Sequence, residues 1–346
     1  MLMVFAAFAA VWLVGAVMGA AVRLRLVLIG LIWALVVLSL LVLPEGPLRQ
    51  ALGGDLRGWL VLGGIAALAL GYRQLVQGLK RRAAPDPVPE PAADSFRPAE
   101  LDRYSRHILL REIGGPGQRR LKEAKVLVVG AGGLGSPACL YLAAAGVGTI
   151  GVVDADRVEN SNLQRQIIHA DQRIGMPKVH SAAEAMRALN PFIEVRPYDR
   201  RLEADSAAAL IGAYDLVLDG TDNFDTRYLV NRVATELGKP LISAAMTQWE
   251  GQISLYHPAA GGPCYECVFP VRPAPGMVPA CAEAGVVAPL PGVIGAMMAL
   301  EAVKHLTGAG ETLRGRLLIH DALYAETRVI GVKPRADCPV CAARRA

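Results

Sequence analysis

The stretch KVLVVGAGGLGSPACLYLAAAGVGTIGVVD, residues 125–154, decides the fold of this 346-residue chain. A short β-branched run is followed by the glycine turn GAGGLG (130–135), an apolar helical segment and a second apolar strand that ends at Asp154. Glycines at such a turn let backbone N–H groups approach a phosphate, and an acid at the end of the second strand binds a ribose hydroxyl. The stretch is therefore typical of a βαβ mononucleotide-binding unit.

The same alternation of strands and helices continues along the chain. We expect a helix over 177–189 with Pro177 as its first residue, a strand near 193–196, and a strand over 215–219 that leads into Thr221-Asp222-Asn223. Strands that alternate with helices indicate βαβ units. The sequence thus predicts an α/β fold with a Rossmann-like, mostly parallel sheet.

Residues 1–82 differ from the rest of the chain in composition. They contain eight basic and two acidic residues, whereas the remaining chain is nearly neutral. Two uncharged runs, 3–22 and 26–43, are close to the length that crosses a bilayer, and a third apolar stretch near 59–76 carries three glycines. We expect two or three transmembrane helices. The net charge of +5 therefore points to a membrane and not to nucleic acid.

The basic residues also predict an orientation in the membrane. Arg23 and Arg25 would lie in a tight inner turn, and residues 80–82 would follow the third span on the same side. The soluble body would then face the cytoplasm, as in a multi-pass protein of the inner membrane. A cleaved signal peptide is the alternative, but no basic residue precedes the first run and a second apolar run follows closely.

Residues 83–95 separate the leader from the soluble body. Proline occupies alternate positions from 85 to 91, which favours an extended, semi-rigid linker. Residues 96–346 then form the nucleotide-binding domain. A glycine turn alone would suit an NAD-dependent oxidoreductase, but the segment 154–169 is dense in acids, amides and arginine just beyond a strand end. That density favours a polyphosphate ligand.

Several motifs make residues 101–346 similar to the HesA/MoeB/ThiF family of adenylating enzymes, which are relatives of the ubiquitin-activating enzymes. In chain order they are RYSRHILL (103–110), VLVVGAGGLGSP (126–137), DADRVENSNLQRQ (154–166), GMPKV (175–179), TDNFDTR (221–227), EGQISLY (250–256), PCYEC (263–267), CAEAGVVAPLPGVIG (281–295) and CPVC (338–341). The resemblance implies adenylation, with ATP and Mg²⁺, of the C-terminal Gly-Gly of a small ubiquitin-like sulfur-carrier protein. It is nearest to the molybdopterin-synthase branch of molybdenum cofactor biosynthesis, and the thiamine-pathway branch is the alternative.

The resemblance also implies roles for individual residues. Gly133 would face the nucleotide, Asp154 would bind the ribose hydroxyls, and Asp222 would hold Mg²⁺. The phosphates would be bound by Asn162, Arg165 and Lys178. The remaining nucleotide contacts that it implies are Ser161, Leu163, Gln164 and Asn223.

Two further implications concern the oligomer and the polar loop. Arg106 would enter the partner subunit's nucleotide site, which implies a homodimer. Asp156 and Asn160 are interpreted as cap or turn residues outside the site.

Two C-x-x-C pairs, Cys264/Cys267 and Cys338/Cys341, account for four of the six cysteines. Paired thiolates at this spacing predict a closed tetrahedral Zn²⁺ site that staples the C-terminal tail to the crossover region. Cys139 lies in an apolar helical segment and is expected to be buried. Cys281 matches the family position at which some members form a covalent link to the carrier, so we interpret it as a candidate catalytic residue.

Two other function classes remain open. An NAD-dependent oxidoreductase is disfavoured by the polar loop, by Lys178 and by the cysteine pairs. A non-catalytic membrane scaffold would have no need of the combination of Arg106, Arg165, Lys178 and Asp222.

Overall fold

The computed structural model describes residues 1–53, 55–83, 96–273 and 285–344. The chain divides into two compact units, Met1–Asp94 and Ser95–Ala346. The expected linker, apart from its first residue, and the candidate residue Cys281 lie outside the described residues.

The first unit is helical. Its helices are α1 (Leu2–Val17), α2 (Val22–Val42), α3 (Pro47–Ala51) and α4 (Leu56–Ala83). A small core surrounds Trp59, which is fully buried, stacks on Phe5 at 5.8 Å and donates its indole N–H to the Leu52 carbonyl at 3.0 Å. Gly63 lets α4 approach α2, because a Cβ there would lie 2.2 Å from the Trp33 ring. Most other leucine and valine side chains of the unit are exposed.

Among the described residues of this unit, two segments are long and apolar enough to cross a bilayer: the helix Val22–Val42, and the stretch Pro47–Val76, which takes in α3 and most of α4. α1 has only 16 residues and ends at Val17, short of the expected residue 22. Arg23 and Arg25 lie in the first turns of α2 and not in a turn between helices, since α2 begins at Val22. Length and composition do not distinguish a span from a core helix or a signal sequence, so they support membrane spans only weakly.

The second unit is built on a sheet whose described strands follow the order β3-β2-β1-β4-β5-β6-β7-β8. The strands are β1 (Lys125–Val129), β2 (Thr149–Asp154), β3 (Glu194–Asp199), β4 (Leu216–Asp219), β5 (Leu241–Met246), β6 (Glu250–Tyr256), β7 (Arg316–Asp321) and β8 (Glu326–Gly331). Strands β1 to β5 are parallel, whereas β6, β7 and β8 are antiparallel to their neighbours. The prediction of a mostly parallel sheet thus holds for the first five strands, and the complete sheet is mixed. The short β5–β6 and β7–β8 connections leave no room for a crossover helix, so these two pairs are antiparallel. The antiparallel pair β6–β7 is joined by the long segment that contains the helix Pro289–Thr307, so connection length does not account for it.

Helices cover both faces of this sheet. They are α5 (Pro98–Ile108), α6 (Gly114–Glu123), α7 (Gly135–Ala145), α8 (Lys178–Leu189), α9 (Ala204–Gly212), α10 (Phe224–Glu236), α11 (Tyr265–Val268) and α12 (Pro289–Thr307). Val126 and Val128 of β1 belong to the apolar cluster formed with α7, α8 and α12, whereas Leu127 and Val129 belong to the cluster formed with α9 and α10. This alternation follows from the two-residue period of a strand. Because β1, β2 and β4 are parallel, their carboxyl ends lie at one edge of the sheet, where such folds bind ligands.

Candidate active site

The glycine turn lies between β1 and α7. Gly130 adopts a left-handed φ of +94°, which favours glycine, and its N–H donates to the Val153 carbonyl at 2.9 Å. A Cβ on Gly135 would lie only 1.9 Å from the Gly130 carbonyl oxygen. The first turn of α7 therefore starts directly above the end of β1. This arrangement exposes backbone N–H groups to a ligand at the helix N-terminus.

A cavity of about 520 Å³ opens in front of this turn. Of the residues selected from the sequence, Gly133, Asp154, Arg165, Lys178, Asp222 and Asn223 line it. The volume lies within the range of small-molecule sites. Residues far apart in the sequence thus meet because the parallel strands bring their carboxyl ends to one edge of the sheet.

Asp154 ties the second strand to the glycine turn. One carboxylate oxygen accepts the Ala131 N–H at 2.7 Å and the other accepts the Asp156 N–H at 2.8 Å. Burial raises the pKa of this carboxyl, although the two backbone hydrogen bonds and the charge of Lys178 oppose the shift. The carboxylate can still accept hydrogen bonds from the ribose hydroxyls, since each oxygen has a further lone pair.

Lys178 is held at the cavity by Asp156. Its side chain is buried, and Nζ donates to an Asp156 carboxylate oxygen at 2.8 Å, while its backbone N–H donates to the Asp156 carbonyl at 2.8 Å. Asp156 lines the cavity as well. The interpretation of Asp156 as a mere turn residue therefore misses its contact with the buried lysine. Pro177 precedes α8 as its N-cap, where we expected it to be the first helical residue.

Besides Asp156, the polar loop after β2 contributes Arg165 and Gln166 to the lining of the cavity. The amide oxygen of Gln166 is buried and has no hydrogen-bond partner among the described residues. An acceptor buried without a partner is costly, and it fits a cavity that receives a ligand with donor groups. Sequence reasoning missed Gln166, because a second glutamine in the same loop carries no distinguishing pattern.

Residues 161–164 of this loop do not line the cavity. Asn162 is buried and accepts the Glu159 N–H at 3.2 Å, so it caps the short 3-10 helix Asn160–Asn162. Ser161 accepts a hydrogen bond from Arg165 at its carbonyl, at 3.1 Å. Gln164 donates to the Val286 carbonyl at 3.1 Å, and Leu163 is partly buried. In this structure these residues shape the loop that carries Arg165.

Asp222 and Asn223 follow the end of β4. The Asn223 side chain caps α10 by accepting the Thr226 N–H at 3.2 Å. Asp222 is exposed and makes no hydrogen bond or ion pair with another residue in the described part of the chain. A free carboxylate at the edge of this cavity fits the way in which Mg²⁺ binds, through one or two carboxylates, waters and substrate phosphates.

His169 supports the glycine turn from behind. It is buried, one ring nitrogen lies 3.0 Å from the Ala131 carbonyl oxygen and the other lies 2.9 Å from the Ser181 hydroxyl. The pKa of His169 is lowered to about 4, mainly by burial and in smaller part by the charges of Lys178 and Arg173, while the hydrogen bond to Ala131 opposes the shift. The ring is therefore neutral at pH 7 and donates to the carbonyl. This residue also escaped sequence reasoning.

Arg106 lies elsewhere on the unit. It is exposed on α5 and does not line the cavity. No hydrogen bond or ion pair joins its side chain to another residue within the described ranges.

The four paired cysteines form one buried cluster, with all four sulfurs within 4.8 Å of one another. The Sγ–Sγ distances are 3.8 Å for Cys264/Cys267, 3.5 Å for Cys264/Cys338 and 3.3 Å for Cys267/Cys341. A tetrahedral zinc with Zn–S bonds of about 2.3 Å requires sulfurs about 3.8 Å apart. The donor set and its spacing therefore fit zinc. Cys139 is buried in α7, and burial raises its pKa to about 12, which makes it inert.

Sequence comparison places residues 104–340 within a known family, the ThiF family. The chain is 51% identical over 246 residues to a sulfur carrier protein adenylyltransferase of Thermus thermophilus, a match that covers 70% of this chain and 91% of that one. It is 48% identical to the SAMP-activating enzyme E1 of Haloferax volcanii, over 71% and 91% of the two chains. It is also 49% identical to a probable adenylyltransferase/sulfurtransferase, MoeZ, of Mycobacterium tuberculosis, but it spans only 65% of that longer protein.

Solved structures show the same fold at lower identity. MccB of E. coli in complex with MccA-N7isoASN superposes with a TM-score of 0.62 at 23% identity, over 69% of this chain and 74% of that one. PaaA superposes with a TM-score of 0.61 at 24% identity, over 84% and 90% of the two chains. The family match, the named relatives at about half identity and the cavity agree: the chain belongs to the ThiF family and is an adenylyltransferase.

Proposed function

We propose that this chain adenylates the C-terminal glycine of a small ubiquitin-like sulfur-carrier protein. The observation that carries the proposal is the single cavity that brings together the cations Arg165 and Lys178 and the free carboxylate of Asp222. Relatives named as a sulfur carrier protein adenylyltransferase and a SAMP-activating enzyme support the choice of a carrier protein as substrate.

In the reaction, a carboxylate oxygen of the carrier's last glycine attacks the α-phosphorus of ATP. The bond to the β-phosphate oxygen breaks, and pyrophosphate leaves with that electron pair. The planar guanidinium of Arg165 can bind the phosphates with two N–H donors. Lys178 donates one of its three ammonium N–H groups to Asp156, so two remain for the phosphates. Asp154 accepts the ribose hydroxyls, and Asp222 holds Mg²⁺, which neutralises phosphate charge when bound.

The carrier most consistent with the motifs is the small subunit of molybdopterin synthase, which places the enzyme in molybdenum cofactor biosynthesis. The thiamine-pathway carrier is the alternative. In either case the diglycine tail reaches the α-phosphate while the body of the carrier rests on the part of the sheet that is exposed, at strand β8. Cys281 would act only in a later covalent step, which adenylation does not require.

The test is carrier-dependent ATP–pyrophosphate exchange by the full-length chain. Exchange is expected with the molybdopterin-type carrier, to be lost with Asp222→Ala, and to be retained with Asp171→Asn, an exposed acid that does not line the cavity. Exchange only with the thiamine-type carrier would select the alternative. Binding of NADH without exchange by any carrier would refute the proposal and favour an oxidoreductase.

Three further parts of the proposal concern the rest of the chain. The enzyme is a homodimer in which Arg106 reaches the partner's cavity. Its side chain is exposed and has no partner among the described residues, which permits this contact. The four cysteines hold structural zinc, as their spacing allows. The basic, apolar leader anchors the enzyme in the inner membrane with its body in the cytoplasm. Protease access to tags at both ends in vesicles tests this topology, and a tag at residue 1 on the cytoplasmic side would contradict three spans.

A further inference from the structure

A buried ion pair lies behind the loop that carries Asp222. Asp219, the last residue of β4, is fully buried, and Arg227 of α10 is only 4% exposed. The Arg227 Nη1 atom lies 3.7 Å from an Asp219 carboxylate oxygen. Neither residue was selected from the sequence, and Arg227 does not line the nucleotide cavity.

This pair holds the backbone of Thr221 from two sides. The Thr221 N–H donates to Asp219 Oδ1 at 3.0 Å, and the Thr221 hydroxyl donates to the same oxygen at 2.7 Å. Arg227 Nη2 donates to the Thr221 carbonyl. Because both peptide groups of Thr221 are bound, the direction in which Asp222 leaves the sheet is determined by the ion pair.

Ser243 of β5 completes the network. Its hydroxyl donates to Asp219 Oδ2 at 3.0 Å and accepts from Arg227 Nη1 at 2.8 Å. The guanidinium therefore uses one nitrogen for Ser243 and the other for Thr221. The planar guanidinium can donate to the Ser243 hydroxyl and to the Thr221 carbonyl at the same time, whereas a lysine ammonium is a point charge that cannot match this geometry.

The network also reaches the cysteine cluster. The Arg227 guanidinium lies 5.7 Å from the ring centroid of Tyr265, the residue that follows Cys264. The Tyr265 N–H donates to the Asn231 side chain of α10 at 2.8 Å. Helix α10, whose N-cap is Asn223, is thus connected to the segment that carries Cys264 and Cys267 by hydrogen bonding and by ring contact.

We propose that Arg227 is a positioning residue that fixes the direction of the Asp222 carboxylate by holding Thr221 against Asp219. This inference rests on the proposed role of Asp222 in binding Mg²⁺. Arg227 itself touches neither nucleotide nor metal. Loss of Arg227 should raise the Mg²⁺ concentration that gives half-maximal rate, and this effect should be larger than any decrease of the rate at saturating Mg²⁺.

The test compares Arg227→Lys with Arg232→Lys, a matched control. Arg232 lies on the same helix and pairs with the buried Glu266 at 3.0 Å but makes no contact with Thr221. In pyrophosphate exchange at saturating ATP, Arg227→Lys should raise the Mg²⁺ concentration for half-maximal rate by about tenfold or more, the usual cost of losing a residue that orients a metal ligand. The control should stay within about twofold of the wild type.

Two additional measurements keep the result decisive. If Arg227→Lys does not fold, Arg227→Gln replaces it, since a glutamine amide cannot reproduce the two simultaneous contacts of the guanidinium with Ser243 and Thr221. An unchanged Mg²⁺ response in a folded variant, with only a lower melting temperature, would overturn the proposal. If the wild type shows no exchange, the proposed function fails instead, and the Mg²⁺ dependence of binding of a fluorescent ATP analogue still tests Arg227.

Discussion

Replacing His169 with glutamine should make the enzyme less sensitive to acid. The ring is buried between the Ala131 carbonyl and the Ser181 hydroxyl, and Lys178 and Arg173 add positive charge nearby. Burial lowers the pKa of His169 to about 4, whereas its ordinary value is 6.5. Glutamine can donate to the carbonyl and accept from the hydroxyl without titrating.

The size of the effect follows from the difference between these pKa values. Between pH 6.5 and 4 the unfolded chain binds a proton at His169 that the folded chain does not, so the free energy of unfolding falls as the pH falls. The loss amounts to about 1 kcal/mol at pH 5.5 and about 3 kcal/mol at pH 4.5, relative to pH 8. Above about pH 7.5 the group contributes almost no pH dependence.

Urea unfolding followed by circular dichroism measures this loss. The wild type, His169→Gln and the control His180→Gln, which changes an exposed histidine of α8, are compared between pH 8 and 4.5 in one detergent. The stability advantage of the wild type over His169→Gln should shrink by the stated amounts, because other titrating groups cancel in the comparison. His180→Gln should follow the wild type. If His169→Gln loses stability in parallel with the wild type down to pH 4.5, the ring is not held neutral and the reasoning is wrong.

Three further predictions concern the turn, the metal and the phosphate site. Gly135→Ala places a Cβ 1.9 Å from the Gly130 carbonyl oxygen and should destabilise the fold by roughly 1–3 kcal/mol in a melting experiment, whereas Gly292→Ala, which meets no atom within 4 Å, should be neutral. The purified chain should contain one zinc. Chelation should lower the melting temperature by about 6 °C or more, which corresponds to a loss of roughly 3 kcal/mol in the free energy of unfolding. An unchanged melting temperature in metal-free protein would exclude structural zinc. Lys178→Met should lower the exchange rate by about 100-fold or more with the fold intact, and a rate near that of the wild type would remove Lys178 from the phosphate site.

The local sequence was enough to predict the nucleotide-binding half of the sheet. In residues 125–154 the strand, the turn and the helix are contiguous, so their geometry depends on nearest neighbours and on glycine. The meeting of Asp154, Lys178 and Asp222 followed from the rule that parallel strands gather their carboxyl ends. Pairing of the cysteines into one cluster followed from their spacing in the same way.

The antiparallel strands β6, β7 and β8 and the supporting residues of the site were decided only by the tertiary structure. The supporting contacts depend on the direction in which each side chain points and on its burial. They are Asp156 with Lys178, His169 with Ala131, and Arg227 with Thr221 and Asp219. A sequence pattern states which residue types stand at the end of a strand, but it does not state which of them turns inward. Buried polar groups must find partners in three dimensions, and that requirement selects the contacts after the chain has folded.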